Sequence, residues 1–255
     1  MPKHVVAAQV YTVREFLKTP AEVAKSLKKV ADIGYTAIQD GFAQMDPREA
    51  IKAVKDSGLK LVSVGTTWER CLHELDGLAE ESKLANCHHL VIPGLPREYY
   101  SLDGLKRFLD ELSSIAPRLR QEKLDICYHN HNHELAKYGG RAWLEMLYQQ
   151  ADPALLKAEI DTYWIQAGGG DPAAWIRMCA GREPLLHLKD MIITPEREQR
   201  FAEIGEGNLN WPGIMAAASE GGVEWYIVEQ DRCYDRDPFE SLAISLRNLK
   251  AMGLS

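Results

Sequence analysis

Residues 124–134 contain an unusual concentration of side chains that can bind metals or transfer protons. The apolar run LDICY is followed, within six residues, by His129, His131, His133 and Glu134. Imidazole and carboxylate groups are ligands for divalent metals and are common general acids and bases. A surface loop with scattered histidines is the alternative, but the segment predicts a metal or catalytic site at a strand end.

Other apolar runs along the chain also end on charged or imidazole side chains. Asp161 ends AEID, His187 and Lys189 lie in LLHLKD, and Glu229 lies in YIVEQD. Taken singly, Asp161 could cap a turn, His187 could be a core histidine, and Glu229 could form a buried salt bridge. Their equivalent positions favour one shared site. A mixed carboxylate and imidazole set suits a single divalent ion, Mn²⁺, Co²⁺, Mg²⁺ or Zn²⁺.

The elements that position these groups follow an alternating pattern of strands and helices. Apolar segments predict strands at residues 5–10, 37–39, 60–65, 89–93, 124–128, 157–161, 185–189 and 225–229. Eight strand–helix units joined by right-handed crossovers predict a closed (β/α)8 TIM barrel, an α/β fold, as one domain over residues 1–255. A doubly wound open sheet is the alternative, but no G-x-G-x-x-G motif follows the first strand.

Capping signals mark the ends of the predicted helices. Gly34 predicts the end of a helix over residues 19–33. Three Asp-Pro pairs predict helix starts, because aspartate is a good N-cap and proline fits the first helical position; they lie at residues 46–47, 171–172 and 237–238. A further amphipathic helix is predicted over residues 101–119.

Composition excludes some classes of protein and disfavours others. The chain is 45% apolar with a formal net charge of -7, typical of a globular protein and unfavourable for binding nucleic acid. No apolar run is long enough to predict a membrane span, and the first residues do not resemble a signal peptide. The five cysteines are widely spaced without a CxxC motif, so we expect free thiols in a cytoplasmic protein.

Seven segments, in order along the chain, resemble the sugar phosphate isomerase/epimerase family of xylose isomerase-like TIM barrels. They are QVYTVRE, IGYTAIQ, YHNHNHE, EIDTYWIQAGGGDP, LLHLKDM, EIGEGNLNW and YIVEQD. The resemblance implies one divalent metal ion at the mouth of the barrel, where the carboxyl ends of the strands meet, and a polyhydroxylated keto substrate. A homo-oligomer is possible. The family also contains dehydratases and lyases, so the reaction is not implied.

The fourth metal ligand is open at this point. The resemblance implies a glutamate at the end of strand 5, where this chain has His129, and Glu134 is the nearby carboxylate that could replace it. His129 and His131 share a face of the strand, so both are expected to point into the mouth while Asn130 points away. Either His129 binds the metal and Glu134 acts as a base or supports the ligands without touching the metal, or Glu134 bends back and binds it.

Several residues beyond the ligands are expected to contact a substrate. Lys189 could bind a substrate hydroxyl or phosphate, or stabilise an enediolate; an ion pair with Asp190 or Glu206 is the alternative. The other candidates follow predicted strands and are Tyr11, Trp68, Trp164 and Glu206. Aromatic faces commonly pack on sugar rings, although core packing is the ordinary role of a tryptophan.

The favoured function is a metal-dependent sugar or sugar phosphate isomerase or epimerase. It would remove a proton next to a carbonyl through an enediolate, with Glu229 or Glu134 as the base. The alternative is a dehydratase or lyase that resembles inosose dehydratase, with His131 as the acid. An abasic-site endonuclease is disfavoured by the acidic charge, and a non-catalytic sugar-binding barrel by the complete ligand set.

Overall fold

Eight parallel strands form a nearly closed barrel in the computed structural model, which describes residues 5–42 and 45–254. The strands are β1 (Val5–Gln9), β2 (Ala37–Gln39), β3 (two pieces, Lys60–Leu61 and Val64–Gly65), β4 (His89–Ile92), β5 (Asp125–His129), β6 (Leu156–Asp161), β7 (Leu185–Leu188) and β8 (Trp225–Val228). β1 pairs with both β2 and β8, which closes the ring on that side. The predicted (β/α)8 barrel is confirmed.

The third strand departs from the prediction of one continuous strand over residues 60–65. Its first piece pairs with β2 and its second with β4. Between the two pieces, the Val62 amide still donates to the Ile38 carbonyl at 2.9 Å. The strand therefore keeps its place in the ring although its ladder is interrupted.

Ten α-helices occur in the described part of the chain. They are α1 (Pro20–Ile33), α2 (Pro47–Asp56), α3 (Trp68–His73), α4 (Leu75–Ala85), α5 (Leu102–Glu122), α6 (Trp143–Gln150), α7 (Thr162–Ala167), α8 (Pro172–Met178), α9 (Trp211–Gly221) and α10 (Pro238–Ala251). Short 3-10 helices span Val10–Phe16, Arg97–Tyr99 and His133–Leu135. Two antiparallel hairpins pair Lys137–Tyr138 with Arg141–Ala142 and Asp190–Ile193 with Gln199–Ala202.

The capping signals in the sequence set the helix bounds as predicted. The side chains of Asp46, Asp171 and Asp237 each accept a hydrogen bond from a backbone N–H of the helix that follows. Gly34 ends α1 in the left-handed region at φ 114°, where a residue without Cβ has no steric penalty. Helix α5 runs past the predicted residue 119 and ends at Lys123, which takes the left-handed conformation itself.

The barrel interior is filled by side chains that alternate with those facing the helices. A group of small and branched residues fills it, which we call the interior cluster: Ala7, Ala37, Val62, Val91, Cys127, Leu185 and Ile227. A larger apolar core lies between the strands and the surrounding helices. Because side chains alternate along a strand, the residue two positions beyond a member of the interior cluster also faces the barrel axis, except in the interrupted β3, where Val64 packs in the larger core.

Composition predicted free thiols and no membrane span, and the structure can be compared with both predictions. All five cysteine thiols are free, and Cys71, Cys127 and Cys179 are buried. Among the described residues, no helix combines the length and the apolar character needed to cross a membrane.

Helix α5 begins where only glycine fits, which gives a test of the packing. A Cβ on Gly104 would lie 2.3 Å from the Glu98 carbonyl oxygen, whereas a Cβ on Gly77 in α4 would meet no atom within 4 Å. We expect Gly104→Ala to destabilise the fold by about 1–3 kcal/mol, as overpacking does. Gly77→Ala, the matched control, should be neutral or stabilising by up to about 1 kcal/mol. Urea unfolding measures both, and equal midpoints for the two variants would contradict this packing.

Candidate metal centre and active-site cavity

Four potential metal ligands meet at the carboxyl end of the barrel. One ligand atom from each of four buried residues lies within 4.8 Å of all the others; the residues are His129, Asp161, His187 and Glu229. They come from the ends of β5, β6, β7 and β8, which are neighbours in the ring. Because His129, His187 and Glu229 each lie two positions beyond a member of the interior cluster, their side chains face the barrel axis.

His187 is held so that one ring nitrogen faces the other ligands. Its Nε2 lies 2.8 Å from Glu159 Oε1, and Glu159 also accepts a hydrogen bond from Gln39 Nε2 at 2.6 Å. His187 Nδ1 lies 3.2 Å from Glu229 Oε2 and 3.8 Å from Asp161 Oδ2. Burial favours the neutral ring, but Glu159 and Glu229 outweigh it and raise the pKa of His187 to about 10. A carboxylate behind a histidine in this way orients the ring toward a metal.

The donor set fits a divalent ion. His129 Nδ1, Asp161 Oδ2 and His187 Nδ1 are buried polar atoms without a hydrogen bond. Asp161 Oδ2 and His187 Nδ1 have ionic contacts with Lys189 and Glu229 in place of hydrogen bonds, and a divalent ion could bind to the same atoms. Two imidazoles and two carboxylates suit Mn²⁺, Co²⁺ or Zn²⁺ better than Mg²⁺, which prefers sites made of oxygen ligands alone.

Lys189 neutralises part of the negative charge at this end of the barrel. Its ammonium is almost fully buried and lies 3.1 Å from Asp161, 2.6 Å from Glu229 and 2.9 Å from Asp231. Burial lowers the pKa of Lys189, but the three carboxylates outweigh burial and raise it, so the ammonium stays charged. Burial raises the pKa of Glu229, yet Lys189 and His187 hold it well below its usual range. With Glu159 included, four carboxylates face the Lys189 ammonium and the protonated His187 ring, an excess of negative charge that a divalent cation would offset.

The other two histidines near the site are neutral. Burial lowers the pKa of His129 well below its usual range, and the charge of His187 lowers it further. Burial also lowers the pKa of His131 to about 4, with Lys189 as the next cause. A neutral His129 can bind a metal, whereas His131 would be deprotonated at neutral pH, so as the acid expected from the sequence it would act from its neutral form.

A cavity of about 490 Å³ opens above these residues. Its walls differ in character. The polar side comes mainly from the ends of β5, β7 and β8 and consists of His129, His131, His187, Lys189, Glu229 and Asp231. The apolar side follows β2 and β4; its apolar side chains are Phe42, Met45, Pro47, Ala50, Val91 and Pro93, and Asp40, Thr66 and Thr67 border it. Gln9, Tyr11 and Gln39 lie between the two.

Glu134 lies outside the cavity and is not among the clustered ligands. It is fully buried, and its carboxylate accepts hydrogen bonds from the Tyr128 hydroxyl at 2.9 Å and the His131 amide at 3.0 Å. These bonds hold the loop after β5 in place. Asn130 points away from the cavity, as expected, and accepts a hydrogen bond from the Asp161 amide at 3.0 Å. Of the two alternatives for the strand 5 ligand, the geometry supports His129.

Two of the residues expected to bind substrate, Tyr11 and Trp164, lie at or beside the cavity. Tyr11 lines the cavity and is 41% exposed. The Trp164 ring lies 5.3 Å from that of His131 and 5.7 Å from Lys189 Nζ, and its buried indole N–H has no partner. Trp164 therefore borders the polar side without lining the cavity itself.

Trp68 and Glu206 do not line this cavity, although Trp68 lines a neighbouring cleft that shares Pro93 and His131 with it. Trp68 is 2% exposed, packs on Phe108 and donates its indole N–H to Glu111 at 2.8 Å, so it serves the core. Glu206 is exposed and accepts a hydrogen bond from Asn248 at 2.9 Å. The structure thus gives both residues structural contacts and does not place them on the cavity wall, where the sequence predicts them.

The loop that carries Glu206 has a structural role. The amides of Gly205 and Gly207 donate to the Asp190 carboxylate at 2.9 and 3.0 Å. Asp190 is therefore engaged with this loop and does not pair with Lys189, so the ion pair considered from the sequence does not form.

Three residues of the site were not predicted from the sequence. Glu159, Gln39 and Asp231 contact His187 or Lys189. A signal was present for each of them. Glu159 lies two residues before Asp161 and so shares its face, Gln39 ends a predicted strand, and Asp231 lies two residues after Glu229.

The choice between His129 and Glu134 gives a direct prediction. We expect His129→Ala to weaken Mn²⁺ binding by at least about 10-fold, because it removes a ligand. Mutation of a residue that only supports a ligand already costs that much affinity. Glu134→Gln should leave the affinity within about 3-fold. Calorimetric titration of chelator-treated protein measures both. His88→Ala is the control and should keep the wild-type affinity. His88 belongs, with His89 and Asp125, to a second group of potential ligands at the other end of the strands. A larger loss for Glu134→Gln than for His129→Ala would contradict the assignment.

Known proteins with similar structures include carbohydrate enzymes and a probable dehydratase. A sugar phosphate isomerase/epimerase from Parabacteroides distasonis aligns with a TM-score of 0.80 at 21% identity, over 97% of this chain and 98% of that one. A D-allulose 3-epimerase from Methylomonas sp. gives 0.71 at 14%, over 98% of each chain. A probable 3-DHS dehydratase from Bacillus anthracis gives 0.72 at 13%, over 97% and 98%. At such identities the likeness establishes the fold alone.

The family assignment rests on the sequence. No curated protein matches it significantly. A family model described as xylose isomerase-like TIM barrel matches residues 27–252, nearly the whole chain. The chain therefore belongs to the xylose isomerase-like TIM barrel family.

Proposed function

We propose that this protein is a divalent metal-dependent enzyme that removes a proton next to a carbonyl group of a carbohydrate. The observation that carries the proposal is the convergence of His129, Asp161, His187 and Glu229 beside a buried ammonium at one side of a cavity. The carbohydrate enzymes among the similar structures support the substrate class. A purely structural ion site would not need an adjoining cavity lined by further proton-transfer groups.

The metal would be held by His129, Asp161, His187 and Glu229. When bound, it would act as a Lewis acid on a carbonyl oxygen, which lowers the cost of removing the neighbouring proton. Glu159 would keep the His187 ring in the orientation for binding, through the contact at 2.8 Å.

The chain's own residues supply proton transfer and charge stabilisation. Glu229 is ionised and lines the cavity, so we assign it as the base. Lys189 keeps its proton and would donate a hydrogen bond to the substrate oxygen on which negative charge develops. Asp231 contacts Lys189 at 2.9 Å and would hold the ammonium in position.

Isomerisation fits the cavity better than two-base epimerisation. An epimerase with two glutamates needs a carboxylate on each side of the carbon that loses its proton. Glu134, the candidate for the second base, lies outside the cavity with its carboxylate hydrogen-bonded to Tyr128 and His131. A single base on one face can move a proton between adjacent carbons, which gives isomerisation.

A dehydratase or lyase is the second candidate, and the arrangement of the polar side favours it. Elimination needs a base and a donor that can reach the same face of the substrate. Glu229, Lys189 and His131 all line the polar side, whereas the opposite wall is mostly apolar and is bordered by Asp40, Thr66 and Thr67. With His131 neutral, Lys189 would be the charged donor to a leaving hydroxyl or alkoxide.

Proton exchange with solvent tests the proposal. We expect Mn²⁺-loaded protein in D₂O to place deuterium next to the carbonyl of at least one member of a keto-sugar panel, observed by NMR. Glu229→Gln should lower the exchange rate by about 100-fold or more, since a positioned general base contributes that much. The exposed Glu206→Gln is the matched control and should keep the wild-type rate.

The products separate the two candidates. A deuterated isomer supports the isomerase, and an unsaturated ketone with loss of water or an alcohol supports the lyase. Absence of exchange across the whole panel, with the metal site saturated, would overturn the proposed function.

A further inference from the structure

The proposed reaction uses no residue of the apolar side of the cavity. Its side chains are Phe42, Met45, Pro47, Ala50, Val91 and Pro93, and none of them can hydrogen-bond through its side chain to a sugar hydroxyl. A cavity of about 490 Å³ falls in the range of about 300–1,000 Å³ that holds drug-sized ligands, which are larger than a monosaccharide. The polar side provides the charged and imidazole groups that a hydroxylated ring would need, and Asp40, Thr66 and Thr67 are the polar residues that border the apolar side.

The apolar side is held in place by specific contacts. The Asp40 carboxylate accepts hydrogen bonds from the Phe42 amide at 3.0 Å and the Gly65 amide at 3.3 Å, which ties the loop after β2 to the end of β3. A Cβ on Gly41 would lie 2.9 Å from Gln9 Oε1, so only glycine lets this loop approach β1 so closely. Phe42 is itself 9% exposed and packs into the core. The apolar surface is therefore a formed wall of the cavity.

The cavity lacks a free cation for a phosphate group. Among the described residues that line it, Lys189 is the only lysine or arginine, and its ammonium already contacts Asp161, Glu229 and Asp231. Arg14, the nearest candidate by sequence, donates to the carbonyl oxygens of Tyr11 and Asp231 and does not line the cavity. A phosphorylated substrate would place a dianion among carboxylates without a partner, which is costly.

We propose that the apolar side binds an apolar group of about the size of an aromatic ring that is attached to the carbohydrate. The substrate would then be an uncharged glycoside or similar derivative rather than a free sugar or a sugar phosphate. The inference rests on the proposed function, because it takes the polar side as the site for the sugar ring. Met45, half-buried on the apolar side, would contact the attached group.

Paired glycosides that cannot react test this inference by binding alone. The probes are the methyl and phenyl β-glycosides of glucose, galactose and mannose, which lack a carbonyl, together with glucose 6-phosphate. Calorimetric titration into Mn²⁺-loaded protein should show the phenyl glycoside of at least one pair binding about 10-fold to 100-fold tighter than its methyl partner, because the ring buries apolar surface. Glucose 6-phosphate should bind more weakly than the methyl glycoside.

Two variants locate the effect. Met45→Gln, similar in size but polar, should reduce the phenyl preference at least about 3-fold while the methyl glycoside binds as to the wild type, which also shows that the site is folded. Met178→Gln is the matched control, because Met178 is 43% exposed on α8 and does not line the cavity. It should keep the full preference.

Each contrary outcome has a separate meaning. Equal affinity for both members of every pair, or a preference that Met45→Gln leaves unchanged, would overturn the apolar subsite while leaving the proposed function intact. Tighter binding of glucose 6-phosphate would overturn the uncharged substrate. Failure of all the glycosides to bind a metal-saturated protein would contradict the carbohydrate site itself, and the inference would fall with it.

Discussion

The alternation of side chains along the strands of a closed barrel is the constraint on which the site depends. Each strand directs every second residue toward the barrel axis, so the interior cluster and the polar residues beyond it lie in successive layers. The apolar layer is buried. A one-residue shift of β5, for example, would exchange His129 for Asn130 and remove a ligand from the centre.

Concentrating carboxylates at one buried position costs stability, and Lys189 reduces that cost. Its ammonium contacts Asp161, Glu229 and Asp231, and its own backbone is held by the Thr162 hydroxyl at 2.9 Å. Without this cation, and without a metal, the carboxylates would repel one another in a region of low dielectric. The same charge balance explains why the polar residues occupy one side of the cavity, where each one is near its partner.

The fold and much of the site could be predicted because they depend on local patterns. The eight strands, the Asp-Pro helix starts and the strand-end ligands Asp161, His187 and Glu229 are visible as spacing and residue type alone. The roles of Trp68 and Glu206 depend on contacts with Glu111 and Asn248, which are distant in sequence. No local pattern specifies such partners. Glu134 differs in that its partners Tyr128 and His131 are near in sequence, but their hydrogen bonds depend on the fold of the loop after β5.

The position of a bound metal tests the account's central claim most directly. A crystal of the protein grown with Mn²⁺ and measured at a wavelength where manganese scatters anomalously would locate the ion without reference to activity. The account predicts an anomalous peak within bonding distance of His129, Asp161, His187 and Glu229, about 2.0–2.3 Å from their nearest nitrogen and oxygen atoms. A saturated crystal with no peak there, or with manganese only beside His88, His89 and Asp125, would contradict it.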